Sequence, residues 1–275
     1  MTALDAHEPT LARLLVALTP LRGVEAISLG GSTQAGLADD DSDLDLHVWW
    51  LPSLVSADER AIALSPLADV GSLRVAIQSW GLEDHLSIGG TPIELIYFRL
   101  DEVQTGVAHA YGEGLDGESF TTALLYSVAQ GQPLYDPTGA LQEMRERLNG
   151  GFPEATFQAV LERRSPLLHV TINQVRRAQR RQDLLSVQQK RATFQGIFFN
   201  LLFTLNRCYH PGEKRLLTHS QRCLLCPSQF EERWVASARM AADDPALPNI
   251  LEELADDLLH LISEEGGIPV RQEVW

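Results

Sequence analysis

The sequence contains no run of about 18 apolar residues, which excludes a membrane-spanning helix of ordinary length. Its N-terminus has no basic segment ahead of an apolar stretch. Asp5, His7 and Glu8 stand where a secretory signal would carry positive charge, so the expected location is the cytoplasm. Cysteine is scarce, with only Cys208, Cys223 and Cys226. An odd count in a chain of this kind argues against a disulfide framework and for reduced, buried thiols. Cys223-x-x-Cys226 is suggestive of zinc, but a second clean pair is missing. Basic residues are also short: 22 Lys and Arg against 37 Asp and Glu, a formal net charge of −15. So acidic a surface repels nucleic acid unless a local patch reverses the sign, and weakly favours cationic small molecules. The basic stretch from Arg163 to Arg191 has no aromatic residue between Phe157 and Phe194, so it lacks a surface on which bases would stack. It reads as a solvated helix face. Neither nucleic acid nor a membrane is expected as a partner, and no repeat or low-complexity segment is visible.

What is present is a chain of 275 residues with 44% hydrophobic and 21% charged residues, enough to bury a sizeable core. Leu11, Leu14, Leu15 and Leu18 recur at helical spacing, and Pro9 fits a first helical position. Residues 26–29 read as a strand entering a tight turn at Gly30-Gly31. Residues 43–49 alternate polar and apolar, as a second strand does. A helix is expected over 57–64 and a strand over 73–79. Two further strands, 85–88 and 92–98, flank Gly89-Gly90, a two-residue hairpin signal. The order helix, strand, strand, helix, strand, strand, strand predicts a mixed sheet with helices packed on it. After about Gly112 strand signals give way to helical periodicity. Phe194, Ile197, Phe198, Leu201, Leu202 and Leu205 form one apolar face, and Leu251, Leu254, Leu258 and Ile262 another. The expected fold is α+β: a mixed-sheet domain over 1–112, then an α-helical bundle over 113–275.

Three acids stand out. Asp43 and Asp45 are two apart on a strand and therefore share a face. Two ionised carboxylates so close repel each other unless a cation lies between them, and hard oxygen ligands suit Mg²⁺. Alone, the pair reads as a solvated strand end. Gly30-Gly31-Ser32 lies just upstream. Glycines let a backbone approach phosphate closely, and a following helix start offers free N–H groups. Glu94 sits among Ile93, Leu95 and Ile96. An acid there is a candidate metal ligand, a candidate general base, or a residue pointing to water. His47 follows Asp45 on the same face and reads as a strand histidine held by a local hydrogen bond.

Together, Gly30-Gly31-Ser32, Asp43, Asp45 and Glu94 resemble the DNA polymerase β-like nucleotidyltransferase superfamily over roughly residues 20–100. That resemblance implies nucleotidyl transfer with two Mg²⁺ ions (Mn²⁺ as a substitute). Asp43, Asp45 and Glu94 would be the metal and catalytic residues, and Gly30, Gly31 and Ser32 the nucleotide-binding ones. ATP or another nucleoside triphosphate would be the co-substrate. The helical half, through Leu205-Asn206-Arg207 and 209–215, looks like that of the bacterial antibiotic nucleotidyltransferases. This implies that Lys214, with Arg215 second, contacts the triphosphate, and that the helical domain completes the substrate cleft. Asp183 is the candidate contact for an amine-bearing small-molecule acceptor. The expectation is transfer of AMP to a hydroxyl of a small, aminoglycoside-like compound. The alternatives are a protein AMP-transferase of the antitoxin type and a non-catalytic nucleotide-binding module.

Overall fold

The structure is a computed structural model that describes residues 3–31, 43–51, 53, 55–78, 81–117 and 119–268. It divides into two compact units: residues 1–108 with 124–151, and residues 109–123 with 152–275. The fold class is α+β, as the sequence implies.

The first unit holds a six-stranded mixed sheet in the order β3-β4-β5-β2-β1-β6. Its strands are β1 (Val24–Leu29), β2 (Leu44–Trp50), β3 (Arg74–Gln78), β4 (Gly81–Ile88), β5 (Thr91–Arg99) and β6 (Gln132–Tyr135). Only β2 and β5 run parallel. Helix α1 (Ala3–Leu18) supplies Leu11, Leu14 and Leu18 to the core, and α2 (Ala57–Leu64) supplies Leu64. Helix α2 starts where a capping box forms: the Ser56 hydroxyl accepts from the Glu59 N–H, and the Glu59 carboxylate accepts from the Ser56 N–H. One face of the sheet carries Ile27, Leu29, Leu44, Leu46, Val48, Ile93 and Leu95, all nearly fully buried.

Helix α1 and strand β6 differ from the sequence reading. Helix α1 begins at Ala3 and carries Pro9 inside it. A proline at that position removes one backbone donor, yet the leucine stripe after it still packs, and packing outweighs local preference. Strand β6 lies beyond the point where strand signals fade. It is only four residues long, contains Pro133 and pairs with β1 at the end of the sheet order, where a missing N–H is tolerated. The Gly89-Gly90 turn is as expected. Both residues have positive φ (60° and 84°), and the Asp69 carboxylate accepts from both N–H groups.

A buried ion pair ties α2 to the sheet. Arg60 donates from Nε (2.8 Å) and Nη2 (3.2 Å) to the Asp84 carboxylate, and the Tyr97 hydroxyl donates to the same group at 2.8 Å. Arg60 is 3% exposed and Asp84 0%. Asp84→Ala would leave the guanidinium buried without its partner, and is expected to cost about 3–5 kcal/mol of stability. The paired replacement Arg60→Met with Asp84→Leu should cost far less, because no lone charge remains. Chemical denaturation of both variants checks this difference.

The second unit is helical. Helices α3 (Leu100–Gly112) and α4 (Ala123–Gln130) cross the boundaries between the units, and α5 (Ala140–Asn149) belongs to the first. Then follow α6 (Glu154–Arg164), α7 (Leu167–Arg180), α8 (Leu184–Leu205), α9 (Leu216–Ser220), α10 (Phe230–Arg239) and α11 (Leu247–Glu265). The apolar residues predicted on α8 are all buried. So are Phe199, Asn200, Phe203 and Thr204 on its other sides. The second half of α8 is thus a central helix enclosed all round rather than a surface helix with one apolar stripe. Leu251, Leu254, Leu258 and Ile262 of α11 close the same core. The basic stretch is spent largely on local partners: Arg163 and Arg164 pair with Asp116, Arg176 pairs with Glu252, and Arg191 donates to the Met240 carbonyl. Among the described residues no helix is long and apolar enough to cross a membrane.

Candidate active site

On the sheet face opposite the leucine-rich one, β2 presents Asp45, His47 and Trp49. Strand β1 places Ser28 beside His47, and the Trp49 indole N–H donates to the Ser28 hydroxyl at 3.0 Å. Trp49 stacks on Phe98, with ring centres 5.1 Å apart, and His47 meets both rings edge-on. His47 is buried, which holds its pKa down at about 4, so the ring is neutral. Its Nδ1 has no hydrogen-bond partner among the described residues. Among the described residues, aromatic packing holds the ring.

Gly30 and Gly31 lie directly over this face. The Gly30 N–H donates to the Asp45 carbonyl at 2.9 Å, which carries the β1–β2 pairing one residue past the strand. A Cβ on Gly30 would fall 2.4 Å from His47 Cε1, and one on Gly31 would fall 1.5 Å from Asp45 Oδ2. Gly31 also has φ +65°. Only glycine fits both positions: at Gly31 the backbone turns against the Asp45 carboxylate itself.

Glu94 is the register partner of Asp45 across the parallel β2–β5 pair. Adjacent strands are about 4.8 Å apart, so the two carboxylates arise from neighbouring positions of one face. Asp43 precedes β2. It lines a recess of about 430 Å³ together with Glu94, His85 and Arg74. The structure therefore brings Gly30, Gly31, Asp45 and Glu94 onto one face, and Asp43 and Glu94 into one recess. Ser32 lies outside the described residues.

Two neighbours were not among the sequence candidates. Register sets His85 of β4 opposite Glu94. Its Nε2 is 2.9 Å from Glu83 Oε1, and its Nδ1 is 3.7 Å from Glu94 Oε1. Glu83, His85 and Glu94 form a trio whose ligand atoms all lie within 4.8 Å of one another. The signal was present: Glu83-x-His85 repeats the Asp43-x-Asp45 spacing. A strand taken to begin at His85 hides it.

The donor set fits a hard divalent cation. Asp43, Asp45 and Glu94 offer carboxylate oxygens alone, the donor type such a cation takes, while among the described residues the ligand atoms that already gather within 4.8 Å are those of Glu83, His85 and Glu94.

The other candidates belong to the helical unit. Asp183 is the N-cap of α8, with its carboxylate accepting from the Ser186 N–H at 3.1 Å and hydroxyl at 2.6 Å. Those bonds hold its pKa below the usual range. It stands at the start of that helix. Arg215 occupies the N-cap of α9 with φ 54°. Lys214 is exposed and lines a recess of about 560 Å³ with Ser119, Phe120, Gly196 and Glu213.

His210, in the same unit, is fully buried between Phe120 and Phe203 and accepts from the Gly212 N–H through Nδ1. Burial first, then Arg222 and His219, press its pKa from 6.5 to about 4. The unfolded chain binds a proton at this ring below about pH 6.5, whereas the folded chain resists until about 4. Stability from this group is thus present at neutral pH and lost as pH falls through that window, by up to about 3 kcal/mol. His210→Phe should flatten the stability profile between pH 6.5 and 4, read by thermal unfolding across that range. An unchanged slope would assign the acid sensitivity elsewhere.

Comparison with known proteins adds little to this geometry. A family described as a domain of unknown function (DUF4037) matches residues 118–216, less than half of the chain. That segment includes Asp183, Lys214 and Arg215 but none of Gly30, Gly31, Asp43, Asp45 and Glu94. No curated protein matches the sequence. A similar solved structure is the nucleotidyltransferase-like protein from Exiguobacterium sibiricum 255-15. It is 10% identical with a TM-score of 0.41, and the match covers 94% of this chain and 74% of that one. Values that low transfer neither a fold nor an activity.

Proposed function

We propose that this protein is a metal-dependent nucleotidyltransferase that moves a nucleoside monophosphate, AMP from ATP, to a hydroxyl of a small cationic acceptor. One observation carries the reading: Gly31 closes on the Asp45 carboxylate while Glu94 sits beside Asp45 in strand register. A backbone turn without Cβ atoms, placed against paired carboxylates, suits a triphosphate that arrives with its cation.

In this reading Asp43 and Asp45 hold Mg²⁺, with Mn²⁺ as a substitute. When bound, the ion would supply charge neutralisation for the triphosphate. The Gly30-Gly31 backbone cradles the phosphates, and Ser32 is the third nucleotide-binding candidate. Glu94 takes the proton of the acceptor hydroxyl as its oxygen bonds to the α-phosphorus and the bond to pyrophosphate breaks. His85 Nδ1 lies 3.7 Å from Glu94 Oε1, beyond hydrogen-bonding distance, and its Nε2 is 2.9 Å from Glu83. The net charge of −15 favours a cationic acceptor over a polyanionic one.

The direct test is pyrophosphate release from ATP by the full chain with Mg²⁺, against a panel of aminoglycosides and other hydroxylated amines. Glu94→Gln is expected to keep nucleotide affinity and lower turnover by about 10²–10⁴-fold, the usual size of general-base catalysis. Loss of affinity and turnover together would make Glu94 a metal ligand instead. No change in either would remove it from the site.

A further inference from the structure

Strand β4 carries Glu83 and His85 two residues apart, so both side chains leave the same face of the sheet. The hairpin turn at Gly89-Gly90 fixes the register that sets Glu94 of β5 opposite His85. The His85 ring therefore stands between two carboxylates. Glu83 closes on one ring nitrogen, and Glu94 stops short of the other. The Glu83 side chain is only 8% exposed, against 33% for His85 and 28% for Glu94. A carboxylate taken so far out of water needs a positive partner. His85 and Glu94 also line the recess of about 430 Å³, which gives a small solute access to the ring. Arg74, opposite His85 on β3, is exposed, so its long side chain can stay hydrated.

We propose that Glu83, His85 and Glu94 form a binding site for one divalent transition-metal ion such as Zn²⁺.

The donor types select the ion. An imidazole nitrogen suits Zn²⁺, Co²⁺ or Ni²⁺, whereas Mg²⁺ takes oxygen. Two carboxylates balance the charge of a dication. A cation bonded at about 2.0–2.2 Å keeps its donors within about 4.4 Å of one another. The three ligand atoms already lie within 4.8 Å, so a small rotation of the Glu94 side chain closes the set. Three protein ligands leave at least one position of the shell for water or a solute from the recess. Among the described residues no other three such side chains bring their ligand atoms so close. The cysteines do not: only Cys223 is buried, while Cys208 and Cys226 are partly open to solvent, which departs from the expectation of three buried thiols. The site shares only Glu94 with the nucleotidyl-transfer reading and does not depend on it.

The test titrates the metal-stripped full chain with cobalt(II) chloride and follows the visible absorption of Co²⁺. The expected result is one Co²⁺ per chain, displaced by one equivalent of Zn²⁺ and not by excess Mg²⁺. X-ray absorption of the cobalt-loaded wild type, which needs no variant, should show one imidazole nitrogen among oxygen ligands. His85→Ala and Glu83→Gln should each weaken Co²⁺ binding by about 100-fold or more, since even outer-shell partners of a metal are worth about 10–100-fold. Asp45→Ala should bind Co²⁺ as the wild type does. Thermal unfolding of the metal-free variants shows that each is folded. No uptake of Co²⁺, a shell of oxygen alone, or thiolate-to-cobalt charge-transfer bands would overturn the proposal. So would binding lost in Asp45→Ala but kept in His85→Ala, which would place the ion on the acids of the transfer reading instead.

Discussion

Replacing Asp45 by alanine is expected to abolish nucleotidyl transfer while leaving the protein folded. The carboxylate sits where β1 turns away at Gly31 and where β5 presents Glu94. Losing a ligand there removes several kcal/mol of charge neutralisation, a rate loss of about 10³-fold or more. Asp43→Ala should act the same way through the recess it shares with Glu94. The metal-free protein should not suffer. Like charges on neighbouring strand positions destabilise by about 0.2–1 kcal/mol, so unfolding of apo Asp45→Ala should be unchanged or slightly harder. Pyrophosphate release with metal and thermal unfolding without it separate the two effects. Activity retained in both alanine variants would remove the proposed site.

The second large effect needs no change to any acid. Gly31→Ala would put a methyl group 1.5 Å from Asp45 Oδ2, on a backbone already at φ +65°. Strain of that kind costs about 1–3 kcal/mol, and relief requires the turn or the carboxylate to move. A displacement of about 1 Å at a catalytic group costs on the order of 10²-fold in rate. Gly31→Ala should therefore lose transfer activity out of proportion to its loss of stability. The comparison variant is Gly139→Ala. Gly139 also has positive φ but nothing within 4 Å of the added methyl, so it should lose stability alone. Equal activity losses in the two variants would show that backbone strain, and not contact with Asp45, is responsible.

Much of this site was legible in the sequence because strand geometry is strict. Two-residue alternation puts Asp45 and His47 on one face, and a tight turn demands glycine at 30 and 31. Hairpin arithmetic went unused: a two-residue turn at Gly89-Gly90 pairs Ile88 with Thr91 and therefore His85 with Glu94. His85 and Glu83 could have been found that way. The parallel pairing of β2 with β5 could not, because the two strands are far apart in sequence and only tertiary packing sets their register. Strand β6 escaped notice for a similar reason: four residues with a proline carry no alternation, and β1 alone recruits them. In the helical unit, periodicity located α8 and α11 but not how deeply α8 is enclosed, which depends on neighbours that a single helical pattern cannot show. Asp183, chosen for its charge, serves as a helix cap. An acid followed three residues later by Ser186 offered that local reading as well.

The central claim is that the acids of this sheet face bind a triphosphate only through a divalent cation. Calorimetric titration of ATP into the full chain tests it most directly, once with Mg²⁺ and once with EDTA, for the wild type and for Asp45→Ala. Binding is expected for the wild type with Mg²⁺, and none for the wild type in EDTA or for Asp45→Ala in either buffer. Equal affinity of the wild type with and without the metal would contradict it.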